Sequence, residues 1–158
     1  MSATIDNAAS VYASGYNCLK LAAIPEAPRI ARRFARNLLE RWEMSGLVTN
    51  AELVISELVT NAVKHVGIID AYPRPTYPQL QDAKLISVCL YVQGDRLLIE
   101  VWDPSTKPPV LKTTDEEDEG GRGLALVRYL VNGFGYRLPK GKQGGKIVWC
   151  SIRIPSES

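Results

Sequence analysis

The sequence predicts an α+β domain, a two-layer α/β sandwich in which helices cover one face of a mixed, mostly antiparallel sheet. Two patterns and their order carry this expectation. Between Arg29 and Trp42, Ile30, Phe34, Leu38 and Trp42 recur every four residues with Ala31 and Leu39 beside them, the spacing of an amphipathic helix. Between Lys84 and Val92, Ile86, Val88, Leu90 and Val92 alternate with their neighbours, the period of a strand with one buried face. Taken along the whole chain the order reads β-α-α-β-β-α-β-β.

Each element has its own local reason. Residues 1–14 are small and polar and read as a tail outside a single domain spanning 15–155. Residues 15–23 fit a first strand, and Pro25 and Pro28 mark a turn and a helix start. Gly46 closes the first helix region. Asn50 is a candidate N-cap for the second helix, with Glu52 in its first turn, and that helix ends near Gly67. Pro73, Pro75 and Pro78 punctuate 68–82 as a loop. Gln93-Gly94-Asp95 turns the alternating strand into a second one, Arg96 to Trp102. The segment 104–119 holds three prolines and an acidic run from Asp115 to Glu119. Gly120 to Gly123 then opens a helix of Leu124, Ala125, Leu126, Val127, Leu130 and Val131. Gly133 and Gly135 end it, and 134–138 and 146–154 read as the last strands around the Gly141 to Gly145 turn.

Composition removes several function classes. The chain of 158 residues is long enough for one packed domain. Its 19 Lys and Arg against 17 Asp and Glu leave a net charge of +2, which gives no electrostatic case for nucleic acid or a membrane surface. Arg29, Arg32, Arg33 and Arg36 form a mild cluster that reads as the wet face of a helix. No apolar run reaches the length of a membrane span, and no leader pattern follows Met1. Cys18, Cys89 and Cys150 are far apart and lack zinc spacing, so the expectation is reduced thiols and a cytoplasmic protein.

The chemistry concentrates in residues 57–65, Glu-Leu-Val-Thr-Asn-Ala-Val-Lys-His. Glu57, Asn61 and His65 stand at i, i+4 and i+8, along one helix face, while Ile55, Val59, Ala62 and Val66 supply the buried side. A carboxylate one turn from an amide oxygen suits a hard cation, and Mg²⁺ takes oxygen ligands while keeping several waters. Asp103, just past a strand, offers an acceptor for an exocyclic amine. Gly121, Arg122 and Gly123 precede a helix, where backbone N–H groups, the helix N-terminus and a guanidinium attract phosphate. It is not a Walker A loop, because no Gly-Lys-Ser/Thr follows.

These motifs, in this order, resemble the GHKL ATP-binding (Bergerat-type) fold shared by gyrase and the histidine kinases. The resemblance is strongest to the bacterial anti-sigma factor family of switch-protein serine/threonine kinases. Ser-Glu-Leu-Val-Thr-Asn-Ala-Val-Lys-His at 56–65 is similar to the family's N box, and Val-Trp-Asp-Pro-Ser at 101–105 to its first glycine box. Gly-Gly-Arg-Gly-Leu-Ala-Leu-Val at 120–127 resembles the second box, and Gly-Gly-Lys-Ile-Val-Trp at 144–149 the closing strand. The resemblance implies ATP and Mg²⁺ as cofactors, Asn61 as the Mg²⁺ ligand, Glu57 as general base and Asp103 as the reader of the adenine amine. It also implies Ser105 beside the base, Gly121, Arg122, Gly123 and Leu124 on the phosphate side, and 104–119 as the ATP lid. The family's Asp-x-Gly-x-Gly is replaced here by Asp103-Pro104-Ser105.

The function so implied is a regulatory protein kinase that phosphorylates a Ser or Thr on an anti-anti-sigma (STAS-domain) partner and sequesters a sigma factor. Relatives imply a homodimer. The alternative is a non-catalytic ATP-binding module that switches a partner by occupancy. A hydrolysing device of the gyrase kind is the weaker third reading.

Overall fold

The computed structural model describes residues 17–67, 76–109 and 127–156. The first strand, β1 (Cys18–Ala22), leads into α1 (Ala27–Arg41); a 3₁₀ turn (Ser45–Leu47) runs directly into α2 (Val48–Val66). A short helix, α3 (Tyr77–Asp82), precedes β2 (Leu85–Gln93) and β3 (Arg96–Asp103), and the chain closes with β4 (Gly133–Arg137) and β5 (Lys146–Arg153). Residues 127–130 are helical. The five strands form one sheet in the order β1-β2-β3-β5-β4. Every pairing in it is antiparallel, so no parallel pair makes the sheet mixed.

Period-2 alternation decides which face is covered. Ile86, Val88 and Leu90 of β2, Leu97, Ile99 and Val101 of β3, and Cys150 and Ile152 of β5 are buried on the face that meets α2. The helix answers with Val54, Ile55, Leu58, Val59 and Ala62. The other face of the sheet carries polar groups: the Tyr91 hydroxyl donates to Glu100 Oε2 at 2.8 Å, and Arg137 pairs with Glu100 at 2.8 Å.

Helix α1 follows the expected stripe except at Ile30, with Phe34 and Trp42 packed partly buried against the core. Ile30 is 42% exposed, whereas Ala27, Ala31 and Ala35 are wholly buried together with Leu38 and Leu39. The packing ridge is therefore the i, i+4, i+8 alanine row, whose small side chains let α1 lie close on α2. Arg36 bonds Glu52 at 2.7 Å and Arg32 donates to Ser56 at 2.9 Å, so two of the four clustered arginines tie α1 to α2.

Three local expectations are corrected. Asn50 does not cap α2: the helix begins at Val48, straight out of the 3₁₀ turn, with Leu47 at the cap position and no side-chain cap bond. The 3₁₀ turn already fixes the helical direction, so the cap residue is redundant. Part of the 68–82 loop is helical, because Thr76 and Gln79 form a reciprocal capping box and Pro78 sits in the first turn, where proline is favoured. The remainder of that loop, 68–75, lies outside the described residues, as does the 1–14 tail.

The third correction concerns the cysteines. Cys18 and Cys89 form a disulfide rather than two free thiols. They face each other in the β1·β2 ladder, and the neighbouring Leu90 N–H donates to the Asn17 carbonyl at 2.9 Å. That makes 18/89 the narrow, non-hydrogen-bonded position, with Cα atoms 4.1 Å apart, where facing cysteines lie within bonding reach. Cys150 is free and buried, as expected, and burial pushes its thiol pKa up to about 12.

A cleft between helix and sheet as the candidate functional site

Helix α2 and the ends of β3, β4 and β5 border a cleft that is partly open to solvent. Leu58, Ala62, Val101, Val127, Val148 and Cys150 make most of it apolar. The polar side chains on its lining are Asn61 and His65 from α2, Asp103 from β3, Tyr136 from β4, Lys146 from β5, and Arg128. A mostly apolar cavity with a few placed polar groups is the usual form of a small-ligand site.

Asp103 and Lys146 are built into the sheet. They are directly opposite residues of the β3·β5 ladder, so both side chains leave the same face. Lys146 is 1% and Asp103 2% exposed, and the ammonium lies 3.0 Å from each carboxylate oxygen. The Ser105 N–H donates to Asp103 Oδ1 at 2.8 Å, closing a tight Asx turn past the strand. Lys146 Nζ also lies 3.5 Å from the Ser105 carbonyl and 3.2 Å from His65 Nδ1. An ammonium only donates, so Nδ1 accepts and the ring proton of the neutral imidazole sits on Nε2. Burial and the adjacent Lys146 both lower the His65 pKa, which keeps the ring neutral. Gly145, at φ +71°, makes this approach possible: a Cβ there would overlap the Asp103 carbonyl oxygen and crowd the Trp102 indole, whose N–H donates to the Gly144 carbonyl at 2.8 Å.

Asn61 and Glu57 are placed differently from each other. Asn61 borders the cleft, half-buried, and its amide bonds no other described residue. Glu57 stands one turn earlier on α2, half-buried, and is not among the residues bordering the cleft. Burial raises its pKa, with Lys64 partly opposing, which moves the carboxyl toward the range of a proton acceptor near neutrality. Among the described residues no three His, Cys, Asp or Glu side chains gather to hold a metal. An Mg²⁺ ion would be held differently: Asn61 offers a hard oxygen at the cleft, and the remaining ligands would come from phosphate and water. When bound, such an ion would neutralise phosphate charge.

Thus Asn61 of α2 and Asp103 of β3 border one cleft, and Ser105 follows Asp103 in the Asx turn without being among the lining residues. Gly121, Arg122, Gly123 and Leu124 lie outside the described residues, as does the lid beyond residue 109. Lys146 was not anticipated. The signal was present, since Lys146 shares the inward period of Val148, Cys150 and Ile152, and a lysine on an apolar face needs a buried partner. Which partner it finds depends on a register 43 residues away in sequence.

No curated protein sequence matches the chain. Among solved structures, the histidine kinase domain of the Erythrobacter litoralis EL346 blue-light activated histidine kinase is similar, at 16% identity over 96% of this chain and 70% of that one. Its TM-score of 0.42 adds nothing to the assignment. The family comparison is direct: residues 21–152 match the histidine kinase-like ATPase domain, and the chain belongs to that family.

Proposed function

We propose that this protein is an ATP-binding regulator of the anti-sigma factor type, which transfers the γ-phosphoryl group of Mg²⁺-ATP to a Ser or Thr of a STAS-domain partner and sequesters a sigma factor. The observation that carries the nucleotide reading is the cleft in which Asn61 of α2 and Asp103 of β3 border one apolar cavity. In this reading Asn61 binds Mg²⁺, Asp103 and Ser105 border the base, and Gly121, Arg122, Gly123 and Leu124 meet the phosphates. Glu57, with its raised pKa, takes the hydroxyl proton of the partner. The only histidine of the 158 residues, His65, bonds Lys146 inside the cleft, which disfavours a histidine phosphoacceptor in this chain. A homodimer follows from the same family reading.

A second reading has its own support. Glu57 stands outside the cleft lining, which favours a module that binds nucleotide and switches a partner by occupancy. Incubation with γ-labelled ATP, Mg²⁺ and a STAS-domain protein separates the two. The kinase labels the partner, and Glu57→Gln lowers the rate by about 100- to 10,000-fold while ATP still binds. Clear ATP binding by the wild type with no labelled partner establishes the module instead.

A further inference from the structure

We propose that Lys146 sets base selectivity in the cleft: its ammonium is an internal partner that occupies Asp103, so the site accepts a purine triphosphate without requiring an exocyclic amine. This rests on the nucleotide reading above and concerns how that site treats the base.

A buried carboxylate discriminates between ligands through what happens when the ligand lacks the donor. Where the acceptor would be left unpaired, the analogue is rejected strongly, by about 10⁴-fold or more; where nothing is left unpaired, the loss is small. Asp103 belongs to the second case. Oδ1 accepts from the Ser105 N–H at 2.8 Å and from Lys146 at 3.0 Å, and Oδ2 lies 3.0 Å from Lys146. Both oxygens are therefore satisfied before any ligand arrives, at a residue only 2% exposed. The bonds from Lys146 are charge-assisted, and a neutral amine makes a weaker bond to the same oxygen. A base amine can add to a remaining lone pair but does not displace the ammonium.

Lys146 is held in this role from several sides. The ladder places it opposite Asp103, Gly145 brings β5 close to the Asp103 backbone, and His65 Nδ1 at 3.2 Å takes the ammonium's third proton, with the Ser105 carbonyl at 3.5 Å beside it. It is a cleft-lining residue whose hydrogen-bonding capacity is used within the protein.

The test compares ATP with the triphosphate of purine riboside, which is ATP without its 6-amine, by calorimetry with Mg²⁺ present. The wild type is expected to bind the two within about tenfold of each other, and Lys146→Met to prefer ATP by about 100-fold or more, because Asp103 is then left without its donor. A wild-type preference for ATP of about 100-fold or more overturns the inference and leaves the nucleotide reading intact. So does a Lys146→Met protein, folded by circular dichroism, that gains no preference. If that variant fails to fold, the wild-type ratio decides alone. Binding of neither triphosphate by the wild type overturns the nucleotide reading, and the inference with it.

Discussion

Asn61 is the residue on which the proposed chemistry turns. Its carboxamide borders the cleft and bonds no other described side chain, so its replacement breaks no visible internal contact. Asn61→Ala is therefore expected to keep the wild-type melting temperature and to lose the Mg²⁺-dependent part of ATP binding. Calorimetry with Mg²⁺ and with excess chelator measures that difference, and an undiminished Mg²⁺ effect would remove Asn61 as the ligand. Helical spacing made Asn61, Glu57 and His65 readable as a set, because the i, i+4 relation is local. Position relative to the cleft is not written in that spacing: Asn61 and His65 border it and Glu57 does not. Lys146 escaped for the same reason, its meaning lying in a cross-strand partner rather than in its neighbours along the chain.

At the scale of elements, the alternating strands were legible almost to their ends, since period-2 burial is written directly in the sequence. The helix faces were less so. Ile30 looks like core by hydrophobicity yet is exposed, whereas Phe34 packs partly buried against the core and Ala27, Ala31 and Ala35 are wholly buried. Helix separation is set by the smallest residues in contact, and that depends on the partner helix. Enlarging this row is expected to act as overpacking: Ala31→Leu should destabilise the protein by about 1–3 kcal/mol, whereas Ile30→Ala, on the exposed side, should cost well under that. Urea unfolding midpoints at unchanged m-value measure both. A near-neutral Ala31→Leu would mean that α1 does not sit on α2 through its alanines. The short α3 stands within a proline-rich stretch because Thr76 and Gln79 cap it and Pro78 lies in its first turn, where proline supports a helix.

For the molecule as a whole, the order of motifs made the family readable, while the way pH acts on the fold needed the structure. His65 has a lowered pKa under the influence of burial and Lys146, with Asp103 opposing and Lys107 adding slightly. The unfolded chain then binds this proton more readily than the folded one. Stability should fall as pH drops below about 6.5, level off once the folded imidazole also titrates, and be unaffected by His65 above that range. Glu57 works in the opposite sense: its raised pKa removes stability as pH rises from about 4.5 to the folded value. Thermal melts of wild type and His65→Asn between these limits check the assignment, and an unchanged slope in the variant would refute it. The Cys18–Cys89 bridge has a consequence of connectivity. It closes a covalent ring through residues 18 to 89 that contains α1, α2 and α3 whole. A single backbone break anywhere inside that ring leaves one molecule, with the Asn61 helix still tethered to the sheet, and only reduction lets the two pieces part.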